Sequence, residues 1–271
     1  MPRFDLHCHT HFSFDAAAES SADALCRRAI ELGITDLSIT DHCDMDSATG
    51  GLLNPYDEDA AWREAVEAKD RYRDRLNLML GVELGNAHHA PKKAAEVLAR
   101  HPYEFVIGSL HNLRGMPDFW YFEFVPMPQT EIEGFFGRML EETRELIATP
   151  GITTLGHLTY MLRYVALAKR TFDVRPWFDR IEPIFRELVQ RDIALEINVS
   201  TLWKGLGFSM PSADLLRLYR DCGGRVVTIG SDAHSPADLG RSIDEGADIL
   251  RAVGLTKVRI VRHGERQDVE L

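Results

Sequence analysis

Phe4-Asp5-Leu6-His7-Cys8-His9 is a short apolar run that ends in two imidazoles, with Asp15 a few residues beyond. In extended backbone, residues i and i+2 project to the same side, so His7 and His9 can grip one metal ion. Further along, the same device returns. Strand-type runs at 4–6, 37–40, 78–83, 105–109, 153–156, 194–198 and 226–230 alternate with stretches of helical periodicity. Six of these seven runs deliver a His, Asp or Glu at the C-terminal end: His7 and His9, Asp41-His42, Glu83, His111, His157, and Asp232 with His234. The intervening helices are legible from their caps and apolar spacing. Ser20 or Ser21 opens the first and Gly33 stops it, Pro91 opens another, and further helices are expected over 131–147, 176–191 and 211–222. Repeated strand–helix units predict a parallel sheet, either a barrel or an open doubly wound sheet. No GxGxxG or GxxxxGK[ST] loop supports the open form, so the expectation is an α/β barrel with its site at the C-terminal face.

The composition fits one such barrel. The chain has 271 residues, 45% hydrophobic and 27% charged, without low-complexity tracts or repeats, and is read as a single domain over 1–271. Its net charge of −11 (31 Lys+Arg against 42 Asp+Glu) argues against sequence-blind nucleic-acid binding, which needs a basic face, and against polybasic membrane attachment. Bound cations can still reverse the field locally for a phosphate-bearing substrate. Cys8, Cys26, Cys43 and Cys222 show no CxxC spacing, and the N-terminus has no apolar signal segment. Reduced thiols in a cytoplasmic protein are expected.

Mixed imidazole and carboxylate donors suit Zn, Mn or Fe. The ordered motifs are HxHTxxSxD (His7, His9, Thr10, Ser13, Asp15), TDH (40–42), GxE (81–83), SLH (109–111), GH (156–157) and SDAH (231–234). Together they resemble the polymerase and histidinol phosphatase (PHP) family from Asp5 to His234. The resemblance implies a distorted (β/α)7 barrel with three divalent metal ions (Mn, Fe or Zn). It implies that His7, His9, Glu83 and Asp232 hold the first. Glu83 then bridges to a second, completed by His111 and His157, while Asp15, His42 and His234 hold the third. Some relatives have His where Asp15 stands.

The reaction expected of such a site is phosphomonoester hydrolysis by a hydroxide shared between two metals, with Asp232 or His234 passing a proton to the leaving alkoxide. Of the family's activities, the chain most resembles stand-alone histidinol-phosphate phosphatases of histidine biosynthesis. Those commonly carry an NTSGLRK-like stretch whose Arg meets phosphate. Here residues 198–204 place Trp203 in that position, which leaves Arg163, Lys204 and Arg114 as phosphate-binding candidates. A cyclic phosphodiesterase acting on a sugar or nucleoside cyclic phosphate is the alternative, and a metal-free binding module the competing class. The loop 112–129, with Phe119, Trp120, Tyr121, Phe122 and Phe124, is expected to line or cover the pocket, or to pack on the barrel. His88 and His89 are read as a solvated loop or helix start, and His11 as lying close to the His7/His9 pair. Asp44 and Asp46 are read as partners of ligating imidazoles, and Cys8 and Cys43 as facing the barrel wall.

Overall fold

The computed structural model describes residues 3–271. Its strands lie in one sheet in sequence order: β1 (Phe4–Cys8), β2 (Asp36–Ile39), β3 (Asn77–Gly85), β4 (Phe105–Ser109), β5 (Thr154–Leu155), β6 (Ala194–Asn198), β7 (Val226–Gly230), β8 (Lys257–Arg262) and β9 (Glu265–Glu270). Neighbours from β1 to β8 run parallel, and β8–β9 is an antiparallel hairpin. Unbroken sequential order is the topology that successive right-handed crossovers produce. The crossovers carry α1 (Ala22–Glu31), α2 (Glu58–Tyr72), α3 (Pro91–Arg100), α4 (Gln129–Ile147), α5 (Tyr160–Leu167), α6 (Phe178–Arg191), α7 (Ser200–Trp203), α8 (Ala213–Asp221) and α9 (Ile243–Val253).

The sheet curls until β7 meets β1. Just past β7, the Asp232 N–H donates to the His7 carbonyl at 2.9 Å, and the His9 N–H donates to the Ala233 carbonyl at 2.8 Å. β8 leaves from the opposite end of β7, where Val226 pairs with Lys257. The wall β1–β7 is therefore the distorted (β/α)7 barrel expected from the sequence, and the β8–β9 hairpin lies against its N-terminal end. Arg262 fastens it there, donating at 3.0 and 2.8 Å to the two oxygens of buried Asp36, beside an Asn77 amide bonded to the Val261 carbonyl.

Every residue of β1, β4 and β6 is buried, as strands covered on both faces must be. The helices bury single stripes, such as Ile181, Ile184, Phe185 and Leu188 of α6. Two elements carry no clear periodicity. α2 buries only Glu58, Ala65 and Ala68, so its inner face is short and alanine-lined. The β8–β9 hairpin turns on His263 and Gly264, both at positive φ (54° and 78°), and lies beyond the last ligand motif. Among the described residues no helix is long and apolar enough to cross a membrane.

Candidate metal centre

The strand ends converge. His7 Nε2 and His9 Nε2 lie 3.4 and 3.7 Å from Glu83 Oε2, and 3.8 and 3.4 Å from Asp232 Oδ1. On the other oxygen of Glu83, Oε1 stands 3.2 Å from His111 Nε2 and 2.9 Å from His157 Nε2, which are 3.4 Å apart. Asp15 lies 3.6 Å from His42 Nε2 and 3.2 Å from His234 Nε2, and those two nitrogens are 3.4 Å apart. These are three adjoining donor groups, and Glu83 faces two of them with one oxygen each. Separations of this size are what donors about 2.0–2.2 Å from a common cation would show.

The donor chemistry fits divalent cations. His7 Nε2, His9 Nε2, His42 Nδ1 and Glu83 Oε2 are buried without a hydrogen-bond partner, although His42 Nδ1 is only 2.7 Å from Glu83 Oε2. Buried polar atoms left unpaired are costly, and carboxylates and imidazole lone pairs crowded together repel. A cation resolves both problems. Burial and the neighbouring His234 and His42 hold the His9 pKa well below its ordinary value, whereas at His7, His42 and His111 burial is outweighed by nearby carboxylates that raise it, so a cation there would displace protons.

The far side of each ring is also provided for. His7 Nδ1 donates to Glu196 Oε1 at 2.6 Å, His111 Nδ1 to Asp44 Oδ1 at 2.7 Å, and His9 Nδ1 meets Ser13 Oγ at 3.1 Å. Such contacts set the tautomer that leaves Nε2 pointing inward. Glycines make room for them. A Cβ on Gly85 would sit 1.6 Å from Asp44 Oδ1, and one on Gly230 would sit 2.3 Å from the His7 Cβ. Asp41 bonds Thr10 and Ser13, and Asp5 bonds Ser231 and Gly240, so both brace the loops that carry ligands. Asp232 itself is held at φ 57°, a strained conformation of the kind found at functional sites.

Several expectations need correction. Arg114 turns away from the centre: its guanidinium bonds the His88 carbonyl at 3.1 Å and Glu145 at 2.8 Å, because Glu142 holds its backbone on the α4 side. His88 and His89 are not solvated. Both aim Nε2 at Glu142 Oε2, at 3.1 and 2.9 Å, with side chains 3% and 0% exposed. Their Nδ1 atoms have no partner, unlike those of His7, His9 and His111. Since a ligating imidazole needs an acceptor for its second nitrogen, this cluster is a hydrogen-bonded clasp. Asp46 caps its own turn at Ala48 and Thr49, and His11 faces Glu64 at 3.7 Å. Cys8 and Cys43 are buried in the wall, as expected.

Arg163 does lie at the centre, and Lys204 stands at its exposed rim beside Trp203. Arg163 Nη1 is 3.9 Å from Asp232 Oδ2, and its Nε is buried with no acceptor. Burial and the nearby Arg163 charge lower the Lys204 pKa, while its ammonium rests 4.7 Å over the Trp203 ring. Trp203 faces Arg241 as well and bonds the Ser231 carbonyl at 3.1 Å. The aromatic loop divides its roles. Phe119 and Phe124 are core residues, Trp120 and Tyr121 are exposed, and Asp118 just before them accepts the hydroxyl of Tyr160, whose ring lies 5.1 Å from that of His111.

Glu196 escaped the sequence reading. It sits inside an apolar strand that ends in no His, Asp or Glu, and only the acidic residue in Ala-Leu-Glu-Ile-Asn hints at it. Its Oε2 accepts the His157 backbone N–H at 2.7 Å while Oε1 takes His7, so one carboxylate ties two donor groups together.

The PHP domain model matches residues 5–200. A probable histidinol-phosphatase of Clostridium acetobutylicum is 30% identical over 242 residues, 88% of each chain. One of Thermotoga maritima is 31% identical over 241 residues, 89% of this chain and 88% of its own. The crystal structure of a histidinol phosphate phosphatase from Lactococcus lactis, complexed with zinc, L-histidinol and phosphate, superposes with a TM-score of 0.81. It is 21% identical and covers 98% of both chains. The family model spans well over half of the chain and takes in the candidate donors from His7 to His157, with Asp232 and His234 following beyond it on the same barrel: this chain belongs to the PHP domain family.

Proposed function

We propose that this protein hydrolyses L-histidinol phosphate to L-histidinol and phosphate, a step of histidine biosynthesis. It would hold divalent cations (Zn, Mn or Fe) at three sites: His7–His9–Glu83–Asp232, Glu83–His111–His157 and Asp15–His42–His234. The observation that carries this reading is the sharing of buried Glu83 between two donor groups beside Arg163, whose buried Nε lacks an acceptor. The names of the relatives supply the substrate. When bound, the cations supply Lewis acidity toward phosphoryl oxygens and lower the pKa of a water to about 7.

The protein's own groups divide the remaining work. Arg163 offers a guanidinium fork for two phosphoryl oxygens, with Lys204 as a point charge alongside. Their positive charge offsets the acidic surroundings and draws the phosphate to one side of the centre. Asp232, whose Oδ2 faces Arg163, is the group placed to pass a proton to the leaving oxygen, whereas His234, expected from the sequence to share that role, has both ring nitrogens engaged. His234 Nδ1 is held at 3.0 Å from the Asp232 carbonyl, which fixes its tautomer. The leaving alcohol carries an ammonium group. Asp118 supplies the matching charge: its Oδ1 accepts the Trp120 N–H at 2.7 Å and the Tyr160 hydroxyl at 3.5 Å, and an ammonium alongside would offset the burial that raises its pKa. Four free, buried cysteines support a cytoplasmic location.

The test is a phosphatase screen of the protein loaded with Mn, Zn or Fe, across histidinol phosphate, sugar phosphates and cyclic phosphates. Histidinol phosphate should be the preferred substrate, and Arg163→Ala should raise KM roughly 10- to 100-fold through lost charge-assisted hydrogen bonds. Metal-loaded protein that leaves histidinol phosphate intact refutes the reading.

A further inference from the structure

Glu83 and His111 sit at the ends of adjacent strands, and their separation defines the second donor group. One residue outside both strands spans that gap. Asn86, immediately after β3, is fully buried and held in the left-handed conformation at φ 52° and ψ 34°. Its backbone N–H donates to the Ser109 carbonyl at 2.7 Å, the last residue of β4. Its Oδ1 accepts the backbone N–H of His111 at 3.0 Å and that of Asn112 at 3.4 Å. Its Nδ2 donates to Asn112 Oδ1 at 2.7 Å, which commits the whole amide to the His111 segment. The turn itself asks only for positive φ, and glycine would meet that without strain. An asparagine there keeps the strain and gains three bonds, all made to the segment that carries His111.

Behind Asn86, the clasp described above fixes the other end of the same turn. Glu142 on α4 takes His88, His89 and the Arg114 backbone N–H at 3.1, 2.9 and 3.0 Å, so the segments after β3 and β4 are bolted to one helix.

We infer that Asn86 is a positioning residue for His111: its side-chain amide sets the backbone of the β4 end so that the His111 ring meets Glu83 across the second metal site. The inference rests on the assignment of His111 as a ligand, which is tested alongside it. Residues that orient ligands typically alter metal affinity ~10–100-fold when replaced.

The experiment uses the metal-loaded full chain, and follows metal retention against a competing chelator together with the melting of the metal-free protein. Asn86→Gly accepts the backbone angle and removes the amide. It should release one class of metal ~10–100-fold more readily, while the metal-free protein remains folded at the temperature of the retention assay. Asn86→Asp keeps the acceptor for both backbone N–H groups and should restore part of the retention. Asn86→Ser, too short to reach His111, makes the same comparison if the glycine variant does not fold. Wild-type retention in Asn86→Gly or Asn86→Ser, with metal lost in His111→Ala, overturns the inference and leaves the metal reading standing. Wild-type retention in all of them overturns both.

Discussion

Glu196 shows how much chemistry one side chain can carry without touching substrate. A fully buried carboxylate is tolerated because each oxygen has a strong donor, the His7 ring and the His157 backbone. Replacing it by Gln keeps the shape and removes the charge that polarises His7. Metal affinity should fall ~10–100-fold, read as the Mn concentration needed for half-maximal activity and as metals retained after dialysis. A Glu196→Gln protein with wild-type metal content would remove Glu196 from this role. Asp118 is a different kind of residue, with a proposed role toward one substrate. Asn in its place still caps the 3-10 turn at Trp120 but lacks charge. The kcat/KM ratio of histidinol phosphate to its des-amino analogue should drop about 10-fold, consistent with loss of one charged hydrogen bond. Equal losses on both substrates would mark Asp118 as purely structural.

At the scale of elements, α4 acts as a mount for the segments that follow β3 and β4 through Glu142. Burial works against ionisation of Glu142, but the bonds from His88 and His89 prevail and hold its pKa well below the usual carboxylate range. Burial also lowers the His88 pKa below 6.5. Both shifts act in one direction. The folded state binds fewer protons than the unfolded state, so stability present at neutral pH declines as pH falls, first below 6.5 for His88 and then below 4.5 for Glu142. Glu142→Ala should cost about 2 kcal/mol at pH 7 in the metal-free protein. The difference from wild type should narrow once the medium is acid enough to protonate Glu142. Denaturant unfolding at the two pH values checks this, and a pH-independent cost would contradict the clasp.

For the whole molecule, the centre is also a fastening. Donors lie within β1 and β3 and in the loops after β1, β2, β4, β5 and β7, so cations bound at the proposed sites would tie six strand ends of a barrel whose circle is closed at the β7–β1 seam. Free metal at 100 times Kd stabilises by about 2.7 kcal/mol per site. With about 2–4 °C per kcal/mol expected for large domains, stripping the metal should lower Tm by at least several degrees, and re-addition should restore it in a concentration-dependent way. A Tm indifferent to chelator would mean that the donor groups do not bind metal in solution. The net charge of −11 also reads differently at this scale. Asp15, Glu83 and Asp232 face cations in the metal-loaded centre, and Arg163 and Lys204 stand beside them, so the mouth attracts phosphate although the chain is acidic.

Every donor to the proposed metals is visible in the chain itself, because strand period and strand-end placement are local properties. His7 and His9 share a side by the pleat alone, and the recurrence of His, Asp or Glu after six apolar runs requires a common face. The β-run boundaries at 105–109, 194–198 and 226–230 match β4, β6 and β7 for the same reason. What the tertiary structure decided is what stands behind those donors and what faces them. Glu196, Asn86 and Glu142 work through partners 25 to 189 residues away, at distances no local pattern encodes. Arg114 and Arg163 look alike as sequence, each a few residues past a ligand. One is drawn off by Glu142 and Glu145 on a neighbouring helix, and the other is left beside Asp232 with an unfilled donor. The candidate donors followed from strand-end placement and from the resemblance to the PHP family. The orientation of each ligand, and the choice between the two arginines, depended on which side chains the folded barrel brought alongside.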